Sequence, residues 1–118
     1  MNGLDGFKAV AFQARREFEC RSVSRQLLSK LYLVYNPEVG DVESFLDQAE
    51  LRFPEGNCGL ASLYIRHLLQ EGSLVRGHYR SDSHTFLALG VLIIDITADQ
   101  YGGPEVYVGP VTTPWSME

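Results

Sequence analysis

The spacing of the apolar residues changes once along the chain, near Gly72, and this change constrains the fold more than any other feature. Before Gly72, apolar residues recur every three or four positions, as they do on the buried face of a helix. After it they recur at every second position, which is typical of β-strands. The sequence therefore predicts an α+β protein, a single domain over residues 1–118 that is helical over about residues 1–71 and β over about residues 73–109.

Four amphipathic segments predict helices, over residues 7–18, 24–35, 41–51 and 58–70. Asp5 lies where an N-terminal cap would stabilise the first helix, and Asn57 has the same position before the fourth. Pro37 ends the second helix, because proline disfavours helical geometry in the residue before it. If Asn57 caps the fourth helix, Cys58 lies in its first turn.

Four segments predict strands, over residues 74–79, 84–89, 91–97 and 105–108. The second and third strands have apolar residues at both odd and even positions, so we expect them at the centre of the sheet, covered on both sides. A hairpin centred between Leu89 and Gly90 would place His84 directly opposite Asp95. Their Cβ atoms would then lie about 4.5–5.5 Å apart, close enough for the carboxylate to bond the imidazole.

A cysteine at the start of a helix is the first candidate for chemistry. The reactive form of cysteine is the thiolate, and the helix macrodipole favours negative charge in the first turn. The turn before Cys58 lets the main chain approach a substrate, and the N–H groups of the first turn, that of Cys58 included, are donors for an oxyanion. We predict Asn57 and Gln100 as further polar contacts to an oxyanion or to the substrate.

His84 and Asp95 complete a candidate catalytic triad with Cys58. In this hypothesis His84 is the general base that pairs with the thiolate and later protonates the leaving group, while Asp95 fixes the tautomer of His84. Asp95 lies inside the apolar run 91–96, where a charge needs a partner. Each residue also has a plain structural interpretation: a lone cysteine is more often a small buried hydrophobe than a nucleophile, and Cys20 keeps that interpretation.

Composition and spacing argue against several other classes of function. A metal site built from Cys58, His78 and His84 matches no zinc spacing, so we predict no metal and no cofactor. The net charge of −5 and the scattered basic residues argue against nucleic acid and anionic membranes as partners. No stretch reaches the roughly 18 apolar residues that cross a bilayer, and the N-terminus lacks a signal-peptide pattern. We therefore expect a cytoplasmic protein with both cysteines reduced.

Three segments carry a resemblance to a known family: FPEGNCGLAS at residues 53–62, SHTF at residues 83–86 and IDITADQY at residues 94–101. They resemble the papain-like and transglutaminase-like cysteine enzymes, in particular compact bacterial members and the bacterial deamidase toxins and effectors of this fold. The order Cys58, His84, Asp95 matches the order in the family. The stretch between His84 and Asp95 is shorter than is usual there, Phe86 stands where tryptophan is common, and the nearest upstream glutamine is Gln48.

The resemblance implies a papain-like fold, with the nucleophile at a helix N-terminus packed on an antiparallel sheet. It implies a cysteine-dependent hydrolase or acyltransferase that acts on an amide or thioester of a peptide or protein side chain. Peptide hydrolysis, glutamine deamidation and transfer to an amine share the acyl-enzyme step and stay open, as do the oligomeric state and delivery as an effector. Two alternatives are an inactive papain-like module that binds peptides or proteins, and a structural protein whose tail, residues 109–118 with Trp115, docks on a neighbour.

Overall fold

The computed structural model describes residues 3–117, in which four α-helices precede a five-stranded antiparallel sheet. The predicted α+β class, with helices first and strands later, is confirmed. The helices are α1 (Gly3–Glu19), α2 (Arg25–Tyr35), α3 (Val42–Arg52) and α4 (Cys58–Leu69). The strands are β1 (Ser73–Tyr79), β2 (Asp82–Leu89), β3 (Leu92–Asp95), β4 (Tyr107–Pro110) and β5 (Trp115–Ser116), and a short 3₁₀ helix (Ala98–Tyr101) follows β3.

Side-chain caps define where two of the helices begin. The hydroxyl of Ser24 accepts a hydrogen bond from the N–H of Leu27 at the start of α2, and Asp41 accepts one from the N–H of Ser44 at the start of α3. Helix α1 begins at Gly3, before its predicted start, so Asp5 lies inside the first turn and the prediction of Asp5 as the cap is wrong. An acidic residue in the first turn still interacts favourably with the helix macrodipole.

Helix α4 is the centre of the helical layer, because it contacts both α1 and α2 and also packs against strands β1 to β3. Its residues Leu60, Ala61 and Ile65 are buried in one core cluster with Ala11 and Ala14 of α1 and with sheet residues. The small alanines of α1 allow its backbone to approach α4 closely. This burial fixes the position of α4 on the sheet, and therefore the position of Cys58 at its first residue.

The strands lie in the order β4-β3-β2-β1-β5, so β2 and β3 are interior strands as the sequence predicts. The sheet is curled, since the rings of Tyr107 on β4 and Trp115 on β5 stack with centroids 4.0 Å apart although these are the two edge strands. Strand β5 lies beyond the predicted end of the β region and pairs Trp115 with Tyr79 of β1. A second core cluster, built on Tyr79, Phe86 and Trp115, fills the concave face.

The register of the β2–β3 hairpin differs from the prediction. Leu89 pairs with Leu92 and Leu87 pairs with Ile94, so the hairpin is centred between Gly90 and Val91. Gly90 has a φ of +63° and stands at the first central position, where a type II′ turn favours glycine, and Val91 is 81% exposed. Asp95 therefore does not lie directly opposite His84. A shift by two residues leaves every side chain on its predicted face of the sheet.

Candidate active site

Cys58 is the first residue of α4 and is half-buried at the edge of a cleft of about 490 Å³. The first intrahelical hydrogen bond runs from the N–H of Ala61 to the carbonyl of Asn57, over 2.8 Å. The N–H groups of Cys58, Gly59 and Leu60 therefore have no partner within the helix. The thiol lies beside these donors, at the end of the helix that carries partial positive charge.

Asn57 holds the turn before α4, and its side chain does not face the cleft. It is 2% exposed, and its amide nitrogen donates to the carbonyls of Ala49 and Glu55, each over 2.8 Å. Both amide N–H groups are thereby used, and the side chain makes no cap bond to α4. The prediction of Asn57 as a side-chain cap and as an oxyanion or substrate donor is wrong, because its amide is bonded to the turn and to the end of α3.

His84 and Asp95 are in contact, as the sequence predicts, although they are diagonal neighbours across the hairpin. His84 Nε2 lies 2.7 Å from Asp95 Oδ2, and the two residues are 2% and 3% exposed. Diagonal side chains on one face are within reach of each other when they are long. The other carboxylate oxygen, Oδ1, accepts a hydrogen bond of 2.9 Å from the N–H of Thr97.

The second nitrogen of the His84 ring is the one that remains for the thiol. Nδ1 is buried and forms no hydrogen bond of strict geometry with any of residues 3–117. Cys58 nevertheless lies close enough to His84 for each group to shift the ionisation of the other. The contact is looser than a strict hydrogen bond, as is common for catalytic pairs before a substrate binds.

The electrostatics of the pair favour a thiolate beside an imidazolium. Burial opposes ionisation of the thiol, but the interactions with His84 and with Thr85 outweigh it, so the pKa of Cys58 is lowered. Burial also disfavours a charged imidazole, but Asp95 and Cys58 stabilise the charge and raise the pKa of His84 to about 9. Each charged form stabilises the other, so the two groups titrate as a pair.

Gln100 does not reach the cleft. It lies in the 3₁₀ helix after β3, and its side-chain nitrogen donates back to the carbonyl of Thr97 over 3.1 Å. Gln100 is not among the residues that line the cleft at Cys58. The prediction of Gln100 as a substrate contact is therefore corrected, because its amide is bonded to the main chain of its own loop.

Sequence reasoning missed Trp115, which is the third partner of the carboxylate. Its indole N–H donates to Asp95 Oδ2 over 2.8 Å, and its ring is 6% exposed. Trp115 lies outside the cleft at Cys58 and does not close it. Strand β5 has only two residues, which is too short for a strand to be recognised from alternating apolar residues. The single tryptophan was therefore the one feature of the sequence that marked this position.

Sequence reasoning also missed the walls of the cleft. One wall comes from α2 and α3, and the other comes from β1 and β2; the lining side chains not discussed above are Tyr32, Tyr35, Asn36, Phe45, Arg76, His78, Ser83 and Thr85. His78 shares the cleft with Cys58 and His84. Within residues 3–117, however, no three His, Cys, Asp or Glu side chains are grouped so as to hold a metal ion.

A scan against protein-family models finds no match to this chain, and searches of curated proteins and of solved structures find no significant match. Over residues 3–117, none of the helices combines the length and the apolar character needed to cross a membrane.

Proposed function

We propose that this chain is a cysteine-dependent acyl-transfer enzyme, in which the Cys58 thiolate attacks the carbonyl of an amide or thioester. The observation that carries the proposal is the buried His84 ring, bonded through Nε2 to Asp95 and left with Nδ1 for the thiol. A buried histidine with a carboxylate on one nitrogen and a cysteine beside the other is the arrangement that activates a thiol nucleophile.

The proposed reaction begins with attack of Cys58 Sγ on the carbonyl carbon, while the carbonyl π electrons move to oxygen. The free N–H groups at the start of α4 donate to the oxyanion that forms. As the tetrahedral intermediate collapses, the bond to the leaving amine breaks and the amine takes the proton of His84 Nδ1. Water or an amine then attacks the thioester, with His84 accepting its proton, and the thiolate leaves.

Asp95 has a positioning role in this proposal. It fixes the ring of His84 through Nε2 and stabilises the imidazolium in a buried place. The succession of nucleophile at a helix start, base on one strand and carboxylate on the next supports a papain-like arrangement. The three reactions considered above all use these same steps: water is the acyl acceptor in peptide hydrolysis and in glutamine deamidation, and an amine is the acceptor in transfer.

The two cysteines provide an internal control for testing the proposal. Cys20 is an exposed thiol after α1, whereas Cys58 is half-buried in the cleft. Alkylation by iodoacetamide near neutral pH, followed by peptide mass spectrometry, gives the rate at each thiol in one sample. We expect Cys58 to react about tenfold faster or more despite its lower exposure, because the thiolate is the reactive form.

A second arm of the same experiment tests acyl transfer itself. The protein is incubated with a peptide thioester, and intact mass spectrometry detects an acyl group on Cys58. Wild type and Cys20→Ser should form the adduct, while Cys58→Ser and His84→Ala should not, and His78→Ala is the control for a cleft histidine outside the triad. Equal alkylation of the two thiols together with no acyl adduct would overturn the proposal.

A further inference from the structure

An aromatic wall, formed by Tyr32, Tyr35 and Phe45, lines the cleft that contains the proposed nucleophile. Tyr32 and Phe45 stack with centroids 4.3 Å apart, and Tyr35 packs against Tyr32 at 5.8 Å. All three rings are half-buried and line the cleft. Tyr35 also lies beside Gly59, since a Cβ there would meet its ring at 3.7 Å. The wall therefore continues to the start of α4 and offers an apolar surface next to Cys58.

Among the described residues that line this cleft, Arg76 is the one with a permanent positive charge. It lies on β1 directly opposite Thr85, the residue whose main chain interacts with the thiol. Opposed residues have Cβ atoms about 4.5–5.5 Å apart, so the guanidinium is within reach of a group bound next to the sulfur. Arg76 interacts with the hydroxyl of Tyr35, which raises the pKa of the guanidinium.

The position of Arg76 in the cleft, rather than its lack of an ion pair, distinguishes it from the other arginines. Within residues 3–117 Arg76 forms no ion pair with a carboxylate, unlike Arg15, Arg25 and Arg52. None of the described residues that line the cleft is Asp or Glu, although the chain carries a net charge of −5. The described lining of this cleft therefore contains an arginine and no carboxylate, although the protein as a whole is acidic.

We infer that the cleft selects an acidic acyl substrate, a peptide segment with a carboxylate side chain beside the reacting carbonyl, and that Arg76 binds that carboxylate. This inference rests on the proposed function, since it names the substrate class of the same site. Guanidinium and carboxylate form paired hydrogen bonds of matching geometry. The aromatic wall contacts the apolar part of the same segment, and a basic segment would bring its cation against Arg76.

The test uses electrophiles that differ only in charge. N-iodoacetyl-glutamate α-amide and N-iodoacetyl-glutaminamide have nearly the same shape, and the first carries one carboxylate. Their alkylation rates at Cys58 are measured in a Cys20→Ser background, so one thiol reacts. The variants are Arg76→Gln, Arg76→Lys and Arg66→Gln, the last removing an equal charge from the far end of α4. Circular dichroism checks that each variant is folded.

We expect the acidic probe to react about two- to fivefold faster than the neutral probe, the factor that corresponds to a solvent-accessible ion pair. Arg76→Gln should bring the ratio of the two rates to about one. Arg76→Lys and Arg66→Gln should keep most of the preference, since the first retains the charge and the second does not touch the cleft. A ratio of one in the wild type, or a preference that survives Arg76→Gln, would overturn the inference.

The failure of the proposed function has a different signature. The neutral probe alone reports whether Cys58 is activated, because it carries no charge for Arg76 to bind. If Cys58 reacts with the neutral probe no faster than Cys20 does in the wild type, the proposed function fails. If Cys58 is fast toward the neutral probe but shows no preference for the acidic one, only the substrate class is wrong.

Discussion

The indole N–H of Trp115 and the imidazole Nε2 of His84 both contact one oxygen, Asp95 Oδ2, at 2.8 Å and 2.7 Å. The C-terminal strand β5 thereby takes part in holding the carboxylate that orients the proposed general base. With Thr97 on Oδ1, the carboxylate has three partners, which compensate for its burial. The tail of the chain is thus linked to the site through the carboxylate, without entering the cleft.

Replacing Trp115 by phenylalanine should weaken both the fold and the site. The ring still stacks on Tyr107, but Asp95 loses a donor, which should lower the free energy of unfolding by about 1–3 kcal/mol. Alkylation of Cys58 should slow, because the carboxylate is less firmly held. Tyr107→Phe is the matched control, since its hydroxyl bonds Pro110 and not Asp95, and it should leave the alkylation rate unchanged. Equal effects of the two variants on that rate would contradict the positioning role.

Arg15 should be essential to the stability of the fold. It is buried on α1 and donates to both oxygens of Asp99, at 2.7 Å and 2.9 Å, and to the carbonyl of Ile96 at 2.9 Å. Arg15→Met should lower the free energy of unfolding in urea by about 3 kcal/mol, since Asp99 and the Ile96 carbonyl lose their partner.

The control for that variant is an exposed ion pair. Asp47 pairs with Arg25 at 3.0 Å and is largely exposed, so Asp47→Ala should change the unfolding free energy by less than about 1 kcal/mol. If the Arg15 variant is no less stable than the Asp47 variant, the loop after β3 is not held by Arg15 in the way that the distances indicate.

Asn57→Ala should show whether the turn before α4 positions Cys58. It leaves the carbonyls of Ala49 and Glu55 without their donor and should cost about 2 kcal/mol of unfolding free energy. Because this turn sets the position of Cys58, alkylation of the thiol should slow as well. Ser24→Ala removes the cap of α2 and should cost about 1 kcal/mol with no effect on Cys58. A stability loss without slower alkylation would show that the turn does not position the thiol.

The contact between His84 and Asp95 was predictable because it required only that both side chains be assigned to the same face of the sheet. Alternation of side chains along a strand fixes the face, and an error of two residues in register leaves it unchanged. The register itself was not predictable, since an apolar run from Val91 to Ile94 fits several turn centres. The exposed Val91 in the turn shows that Gly90, rather than burial, determines the centre of the hairpin.

The walls of the cleft were beyond sequence reasoning for a different reason. Tyr32 and Tyr35 belong to an amphipathic helix whose period says which residues are buried, but not which element lies opposite them. Arg76 lies on an exposed position of a strand, where a lone arginine has no distinguishing pattern. These residues come together only through the packing of α2 and α4 on the sheet, which is a long-range property of the fold.

The direct test of the central claim, that Cys58 is ionised by its pairing with His84, is the ultraviolet absorbance of the thiolate as a function of pH. It is measured in Cys20→Ser and corrected with the double variant that also lacks Cys58. The lowered pKa of Cys58 predicts that the thiolate is already present below the ordinary value of 9.0 and disappears as the pH falls, while His84 keeps its proton up to a pH of about 9. In His84→Gln the thiolate should appear only at a pH near or above 9.0, because burial of the thiol remains. The claim would be contradicted if the wild-type thiolate formed only at a pH near or above 9.0 and its titration were unchanged in His84→Gln.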